Sequence, residues 1–359
     1  MEKTIHNITI GDGDNMEIGE LKRILNEAKS IIAVHHWDAD GISSAAIIME
    51  HANNCKNYCP PIGSYKVTNE VVNELLKLIE SNKTTILVLD WNIPFREVDI
   101  LENEVNAKVV MIDHHYKTEK PNKPYYYNPV ALGGSEEDWP STTWVLKWLL
   151  NHQVNLKVLL GLFGDLEVKA LELKLYEDII RGAIEDRGLN INELIEASKI
   201  LNSLGRIGNR KLVERAPSKL VEYGENLKRI LRDREWINAW MKLRREVEQI
   251  MSSGFEEELG GIIIKRFSSK MNVTSEIARR LAEKYRDRVI VAVNEDGPEI
   301  YVRRGFNLNI NLTPIINELG KLSAEIGGKE SVIGIRIKRE HLSEILDKVI
   351  NIIGNLIWR

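Results

Sequence analysis

The sequence predicts an α/β protein: a parallel-sheet domain over residues 1–200, a helical connector over 201–254 and a smaller α/β domain over 255–359. Three observations carry that prediction. Short β-branched apolar runs alternate with amphipathic segments in the first third. Residues 140–250 are almost entirely helical in pattern. A second alternation of strands and helices begins after Ser252-Ser253-Gly254. Strands buried on both faces and separated by helices imply a parallel sheet.

Residues 19–29 show helical spacing through Leu21, Ile24 and Leu25. Ser30-Ile31-Ile32-Ala33-Val34 is then a buried strand by length and β-branching. Gly41 to about Asn53 is helical, with Ser43 and Ser44 in its first turn. Residues 69–81 form another amphipathic helix, and residues 84–89 and 108–112 are the second and third strands. In the middle region, an apolar stripe through Leu227, Ile230, Leu231, Ile237, Trp240, Met241 and Val247 predicts one long helix. Trp236 and Trp240 belong to its packing face. Beyond the boundary come a strand over 261–264, a helix over 274–285 capped by Thr274 or Ser275, and a strand over 288–293. An Asp296-Gly297 turn leads into a strand over 299–303, and a last helix spans about 341–353.

A chain of 359 residues suits two domains, and 43% hydrophobic residues suffice for a real core. The balance of 49 basic and 53 acidic residues gives −4 and excludes a uniformly basic nucleic-acid coat protein. It does not exclude a nucleic-acid enzyme, because charge can be local and bound metals reverse it. Residues 206–245 show this, with 12 Lys/Arg against 5 Asp/Glu. That stretch is either a solvated helix face or a track for a phosphate backbone. The only cysteines are Cys55 and Cys59, which excludes a disulfide framework. No apolar run is long enough to span a membrane, and the segment from Met1 to His6 lacks a signal-peptide core. The expectation is a soluble cytoplasmic protein.

The residues with chemistry sit at the ends of the strands. The first strand runs into His35-His36-Trp37-Asp38-Ala39-Asp40-Gly41, the second into Asp90, the third into Asp113-His114-His115. Ligands bind at the carboxyl edge of open parallel sheets. His36, Asp38 and Asp40 alternate, and Gly41 lets the backbone turn sharply. Each feature alone could be a cap or a polar loop; all three at successive strand ends point to a site. Converging carboxylates cannot all ionise without cations, and imidazole with carboxylate suits a borderline divalent ion. Two metal ions with a bridging carboxylate satisfy this, and paired metals activate water for displacement at phosphorus.

These motifs resemble the DHH phosphoesterase superfamily, in flavour its archaeal RecJ-like branch. His36-Trp37-Asp38-Ala39-Asp40-Gly41 matches its first motif, Asp90 the second and Asp113-His114-His115 the third. Gly161-Leu162-Phe163-Gly164-Asp165 fits the fourth. The C-terminal part looks like the family's DHH-associated domain, with an Arg-bearing strand at Tyr301-Val302-Arg303-Arg304. A glycine loop follows at Gly327-Gly328-Lys329-Glu330-Ser331-Val332-Ile333-Gly334, where Lys329 stands in place of the family's His and Val332-Ile333 in place of a small pair.

The resemblance implies a hydrolase with two divalent ions, Mn(II) or Mg(II). His36 and Asp38 would hold one ion, Asp40, His114 and Asp165 the other, and Asp90 would bridge. His115 would contact the phosphate or aid the leaving group, with Asp113 orienting a neighbouring His. Arg303, Arg304, Gly327, Gly328 and Lys329 would bind substrate. The implied activity is a metal-dependent exonuclease or phosphodiesterase on single-stranded DNA or RNA ends. The alternatives are a small-substrate phosphoesterase (nanoRNase, cyclic-dinucleotide or phosphoadenosine-phosphate hydrolase) and a partner of replication or repair proteins.

Weaker signals remain. His51, Cys55 and Cys59 have a metal-like spacing but read as structural. Tyr125-Tyr126-Tyr127 reads as a loop near the site, open to a stacking role. Ser141, Thr142 and Thr143 after Pro140 read as a helix start, which could accept a phosphate.

Overall fold

The computed structural model describes residues 20–117, 119–254, 256–319 and 325–357. The N-terminal segment read above for a signal peptide lies outside these. Two compact units form, Met1–Gly205 with Asn209–Trp240, and Arg206–Gly208 with Met241–Arg359. The residues predicted as a connector are thus divided between the units, and the boundary falls within a helix. Among the described residues no helix is long and apolar enough to cross a membrane.

The first unit holds a five-stranded, wholly parallel sheet in the order β2-β1-β3-β4-β5. The strands are β1 (Ser30–His35), β2 (Cys55–Tyr58), β3 (Thr84–Leu89), β4 (Lys108–Ile112) and β5 (Tyr126–Tyr127). Every residue of β1 and β3 is buried, as expected for central strands covered on both faces. Helices α1 (Glu20–Glu27), α2 (Ala39–His51), α3 (Asn69–Leu78) and α4 (Phe95–Val105) intervene. An all-helical run follows: α5 (Thr142–Leu149), α6 (Leu156–Leu166), α7 (Glu177–Asp186), α8 (Ile191–Arg206), α9 (Arg210–Tyr223), α10 (Leu227–Ile230) and α11 (Arg234–Ser252).

Two details correct the sequence reading. Helix α2 begins at Ala39, not Gly41, because Asp38 caps it by accepting from the Gly41 N–H at 3.0 Å. The long helix predicted through Leu227–Val247 is broken between α10 and α11. There Asp233 accepts from the Trp236 N–H at 3.0 Å and restarts the helix. Trp236 is fully buried against Tyr223, as its packing role requires.

The second unit holds a mixed six-stranded sheet in the order β10-β11-β9-β8-β7-β6. Its strands are β6 (Glu256–Leu259), β7 (Ile262–Phe267), β8 (Val289–Asn294), β9 (Glu299–Arg304), β10 (Glu325–Lys329) and β11 (Val332–Arg336), and only β7 and β8 run parallel. Strand alternation divides the core. Ile262 and Ile264 pack with α13 (Pro314–Leu319) and α14 (Leu342–Ile357), whereas Ile263 packs with α12 (Thr274–Lys284) and the second half of α11. Helix α12 is preceded by Val273 and has no side-chain cap; Thr274 instead buries its hydroxyl without a partner.

The predicted Gly327–Gly334 loop is a β-hairpin, β10 paired with β11 about Glu330-Ser331. Gly328, at φ 149°, lies so close to the Val332 carbonyl that a Cβ would collide with it, which explains a glycine inside a strand. Arg303 and Arg304 are consecutive, so the pleat sends them to opposite faces. Arg304 donates to the Ile310 carbonyl at 2.9 Å, and Arg303 lies over the Phe306 ring.

Candidate metal centre

The carboxyl edge of the first sheet gathers the predicted residues. β1 leads into His36 and Asp38, β3 into Asp90 and β4 into Asp113. Asp90 adopts φ 61°, a left-handed backbone rarely held by a residue with a Cβ, while its N–H donates to the Ile112 carbonyl at 3.0 Å. Such strain concentrates at functional sites.

Three sets of ligand atoms converge, each within 4.8 Å: His36, Asp38 and Asp90; Asp90, His114 and His115; Asp40, His114 and Asp165. Asp90 and His114 each belong to two sets. His36 Nδ1 lies 2.7 Å from Asp38 Oδ2 and 3.8 Å from Asp90 Oδ2. His114 Nε2 lies 3.2 Å from Asp165 Oδ2 and 3.6 Å from Asp90 Oδ1. His35, by contrast, turns away, placing Nδ1 2.7 Å from the His36 carbonyl and Nε2 beside Asn57. Burial pushes it down to about 4, so it is neutral.

The electrostatics are those of a site built for cations. Burial, then the Asp40, Asp38, Asp165 and Asp113 charges, hold Asp90 well above the usual carboxylate range. Burial and Asp40 likewise push Asp165 up to about 7. Burial opposes protonation of His114, but Asp165 and the other carboxylates overcome it and lift the ring to about 9. Buried Asp90 Oδ2 lacks a hydrogen-bond partner, and buried His36 Nδ1 and His114 Nε2 face the carboxylate oxygens of Asp38 and Asp165 at 2.7 and 3.2 Å without hydrogen-bond geometry. An orphaned buried polar atom costs about 1–3 kcal/mol. The donor set and its unsatisfied atoms therefore fit divalent metal ions.

Asp113 plays a different part. Its Oδ1 accepts from the N–H groups of His114 and His115 and lies 2.7 Å from His115 Nδ1. Its Oδ2 lies 3.0 Å from Lys117 Nζ. Burial would raise Asp113, but Lys117 and the two histidines hold it well below the usual range. An ionised Asp113 can only accept, so His115 carries its proton on Nδ1 and keeps Nε2 for other work.

Three groups of residues support the site in ways the sequence reading did not assign. Lys117 also donates to Asn92 Oδ1 and the Ile93 carbonyl, which fixes its ammonium beside Asp113. Lys117→Met is expected to cost about 3 kcal/mol in chemical denaturation, as breaking a buried ion pair does. Thr142 and Thr143, at the start of α5, direct both N–H groups to Asp40 at 2.6 and 3.0 Å, and Thr142 Oγ1 donates to Asp90 at 3.0 Å. The helix start offered above to phosphate is thus occupied by Asp40. Asn202 on α8 accepts from the Ala39 N–H and donates to the Gly164 carbonyl, tying α2 to α6.

Glycines allow the close approach. A Cβ at Gly41 would lie 2.5 Å from the His36 carbonyl oxygen, and one at Gly161 would collide with Thr143 Oγ1 and Asp40 Oδ1. Gly164 lies similarly against Ala39, so the Gly161–Gly164 face of α6 seats Asp165 beside α2.

The other signals resolve as structural. Tyr126 and Tyr127 form β5, are buried, and stack on Phe95 and Trp148, so these two rings are not open to bases. His51 bonds the Ile47 carbonyl and faces His152, and burial pushes the Cys55 thiol up to about 12. Among the described residues they form no metal-competent group with Cys59. Part of the basic stretch is ion-paired: Arg210 with Glu74, Arg215 with Glu235, Lys219 with Asp233 and Arg229 with Glu222.

This centre and its sheet define a phosphoesterase class. Residues 30–159 match the DHH family N-terminal domain and residues 260–355 the DHHA1 domain; the chain belongs to the DHH phosphoesterase superfamily. No curated protein matches its sequence. Among solved structures the chain is similar to a DHH-domain protein described as a member of a family of ribosomal proteins (TM-score 0.66, 15% identity, covering 94% of this chain and 90% of that one). It is also similar to RecJ from Thermus thermophilus in complex with Mn2+ (TM-score 0.62, 16% identity, 95% of this chain and 55% of that one). A third is an exonuclease RecJ bound to manganese (TM-score 0.57, 18% identity, 92% and 91%). The chain therefore spans about half of the Thermus protein, and at these identities the likeness is one of fold.

Proposed function

We propose that the chain hydrolyses phosphodiesters at the ends of single-stranded DNA or RNA, using two divalent ions, Mn(II) by preference. The observation that carries this is Asp90: it belongs to two ligand sets at once and keeps one carboxylate oxygen unsatisfied. His36 and Asp38 would hold one ion, Asp40, His114 and Asp165 the other, and Asp90 would be shared between them. Asp40 can serve although both its oxygens accept N–H bonds, because each oxygen has a second lone pair. Bound there, the ions would activate water and stabilise in-line displacement at phosphorus. A P–O bond forms to the water oxygen, the ester P–O bond breaks, and the departing oxygen takes a proton. His115, held through Nδ1 by Asp113, presents Nε2 to the substrate phosphate or the transferring proton. In the second unit Arg303, Gly327, Gly328 and Lys329 supply contacts to substrate. Arg304, bound to the Ile310 carbonyl, contributes to the fold of that unit.

One observation favours a second reading. At least five of the twelve basic residues of 206–245 are ion-paired, which leaves fewer to follow a long backbone and suits a small substrate such as a dinucleotide. End-labelled DNA and RNA of graded length, with Mn(II) and with EDTA, separate the two. Mn(II)-dependent release of nucleotides along longer strands is the expected result. Cleavage confined to dimers through pentamers would favour the small-substrate reading, and no cleavage at any length with Mn(II) would contradict both.

A further inference from the structure

The loop after β2 contributes a tyrosine to the metal centre from outside every motif. Tyr65 Oη lies 3.3 Å from His36 Nε2, on the side of the ring away from Nδ1. Its own ring meets Trp37 edge-on at 5.3 Å. The loop is fixed on both sides of the tyrosine. The Ser64 carbonyl accepts from Trp91 Nε1 at 2.7 Å, the Ser64 N–H donates to Pro61, and the Val67 N–H donates to Glu97. Trp91 directly follows Asp90, so the loop is tied to the same strand end that delivers the bridging carboxylate.

We infer that Tyr65 is a positioning residue: its hydroxyl accepts the Nε2–H of His36 and thereby presents the bare Nδ1 to the ion shared with Asp38 and Asp90. The inference rests on the metal reading above. A neutral imidazole carries one ring proton, and the nitrogen that coordinates must be the one without it. With the proton on Nδ1, His36 could only donate to Asp38 and could not bind an ion there. With the proton on Nε2, it needs an acceptor, and Tyr65 Oη is within reach. The hydroxyl, not the ring, is the working part: the ring also packs on Trp37 and lies 6.0 Å from the His36 ring, and only the hydroxyl can accept the Nε2 proton. A ligating histidine generally donates its other N–H to such a partner, and losing that partner weakens metal binding about 10–100-fold.

The test is Mn(II) titration of the full chain at fixed pH, following free Mn(II) by electron paramagnetic resonance. It is joined to ¹⁵N shifts of the His36 ring in the Mg(II)-loaded protein. Wild type should bind two ions. Tyr65→Phe should weaken one site about 10–100-fold, leave the other unchanged, and shift the His36 nitrogens toward a tautomer mixture, with the thermal stability of the metal-free chain unaltered. Two tight sites and unchanged shifts in Tyr65→Phe would overturn the inference while leaving the metal reading intact. So would a loss seen in Tyr65→Ala but absent in Tyr65→Phe, which would assign the effect to the ring. A wild type that binds no Mn(II) would instead overturn the metal reading itself, and this inference with it.

Discussion

Asp90→Asn is expected to abolish Mn(II)-dependent hydrolysis while raising the stability of the metal-free protein. A loss of at least ~10³-fold is expected, about 4 kcal/mol of barrier, because the bridging oxygen is replaced by an amide nitrogen that cannot bind an ion. Asn is the informative replacement. It tolerates the left-handed backbone at φ 61°, whereas Asp90→Ala adds about 1–2 kcal/mol of strain to the same loss. The stability gain follows from the carboxylate's surroundings. Burial and four neighbouring aspartates hold Asp90 above the usual range, so the folded chain keeps a proton that the unfolded chain has already released. Stability therefore falls as pH rises above the ordinary carboxylate value.

Asp165, raised to about 7, acts in the same direction. His114, raised to about 9, contributes stability that is complete below its ordinary value of 6.5 and is lost as pH rises through 9. These three groups should thus lower the stability of the metal-free protein as pH rises from about 4 to 9, opposed below about 6.5 by His35 and His115, whose rings burial holds low. Metal binding favours the deprotonated ligands, so the gap in melting temperature between Mn(II)-loaded and metal-free protein should widen over that window. A gap that narrows with pH would mean that these groups are not the ligands. For Asp90→Asn, a higher metal-free melting temperature than wild type at about pH 8 is expected, with no further gain from Mn(II).

Gly161→Ala should be the most damaging of the conservative substitutions. Its Cβ would collide with Thr143 Oγ1 and Asp40 Oδ1, neither of which can retreat: one side chain is held at the start of α5 and the other between two backbone N–H groups. Helix α6 must then move off α2 and carry Asp165 with it. A cost of about 3 kcal/mol is expected from overpacking, together with weaker Mn(II) binding. Gly182, in α7, is the control, since nothing lies within 4 Å of a Cβ there. Gly182→Ala should stabilise by about 0.5–1 kcal/mol and leave metal binding unchanged. Equal effects at the two glycines, measured by denaturation and Mn(II) titration, would refute the close-approach argument.

Most strands legible in the sequence were those buried on both faces; β9, buried on one face, was legible after the Asp296-Gly297 turn. β1, β3 and β4 are continuous apolar runs, and their carboxyl ends carry the residues that converge. Edge strands lack that signature. β2 reads Cys-Lys-Asn-Tyr, and β6 opens with three glutamates, a composition that protects an edge from further pairing. The hairpin of β10 and β11 was hidden by glycines that signal a loop by composition but here serve a close strand crossing at Gly328. The break before α11 was hidden because the apolar stripe continues through it; only the cap at Asp233 interrupts the helix.

The same division holds at the site. Most of the aspartates and histidines were legible because they follow the end of a strand; Asp165, near the end of α6, was legible only through the Gly161–Gly164 motif before it. Thr142 and Thr143 on Asp40, and Asn202 across α2 and α6, act through contacts made only when helices pack, and Lys117 pairs with Asp113 in the irregular segment after β4. No local spacing encodes them. Tyr65 belongs with these: nothing around Ser64-Tyr65-Lys66 announces an acceptor for His36.

The most direct test of a bridging Asp90 is a crystal of the protein grown with Mn(II) and measured at the manganese absorption edge. Two anomalous peaks about 3.5–4 Å apart are expected, one beside His36 and Asp38, the other beside Asp40, His114 and Asp165, with Asp90 touching both. A single peak away from Asp90, or none at saturating Mn(II), would contradict a dinuclear centre.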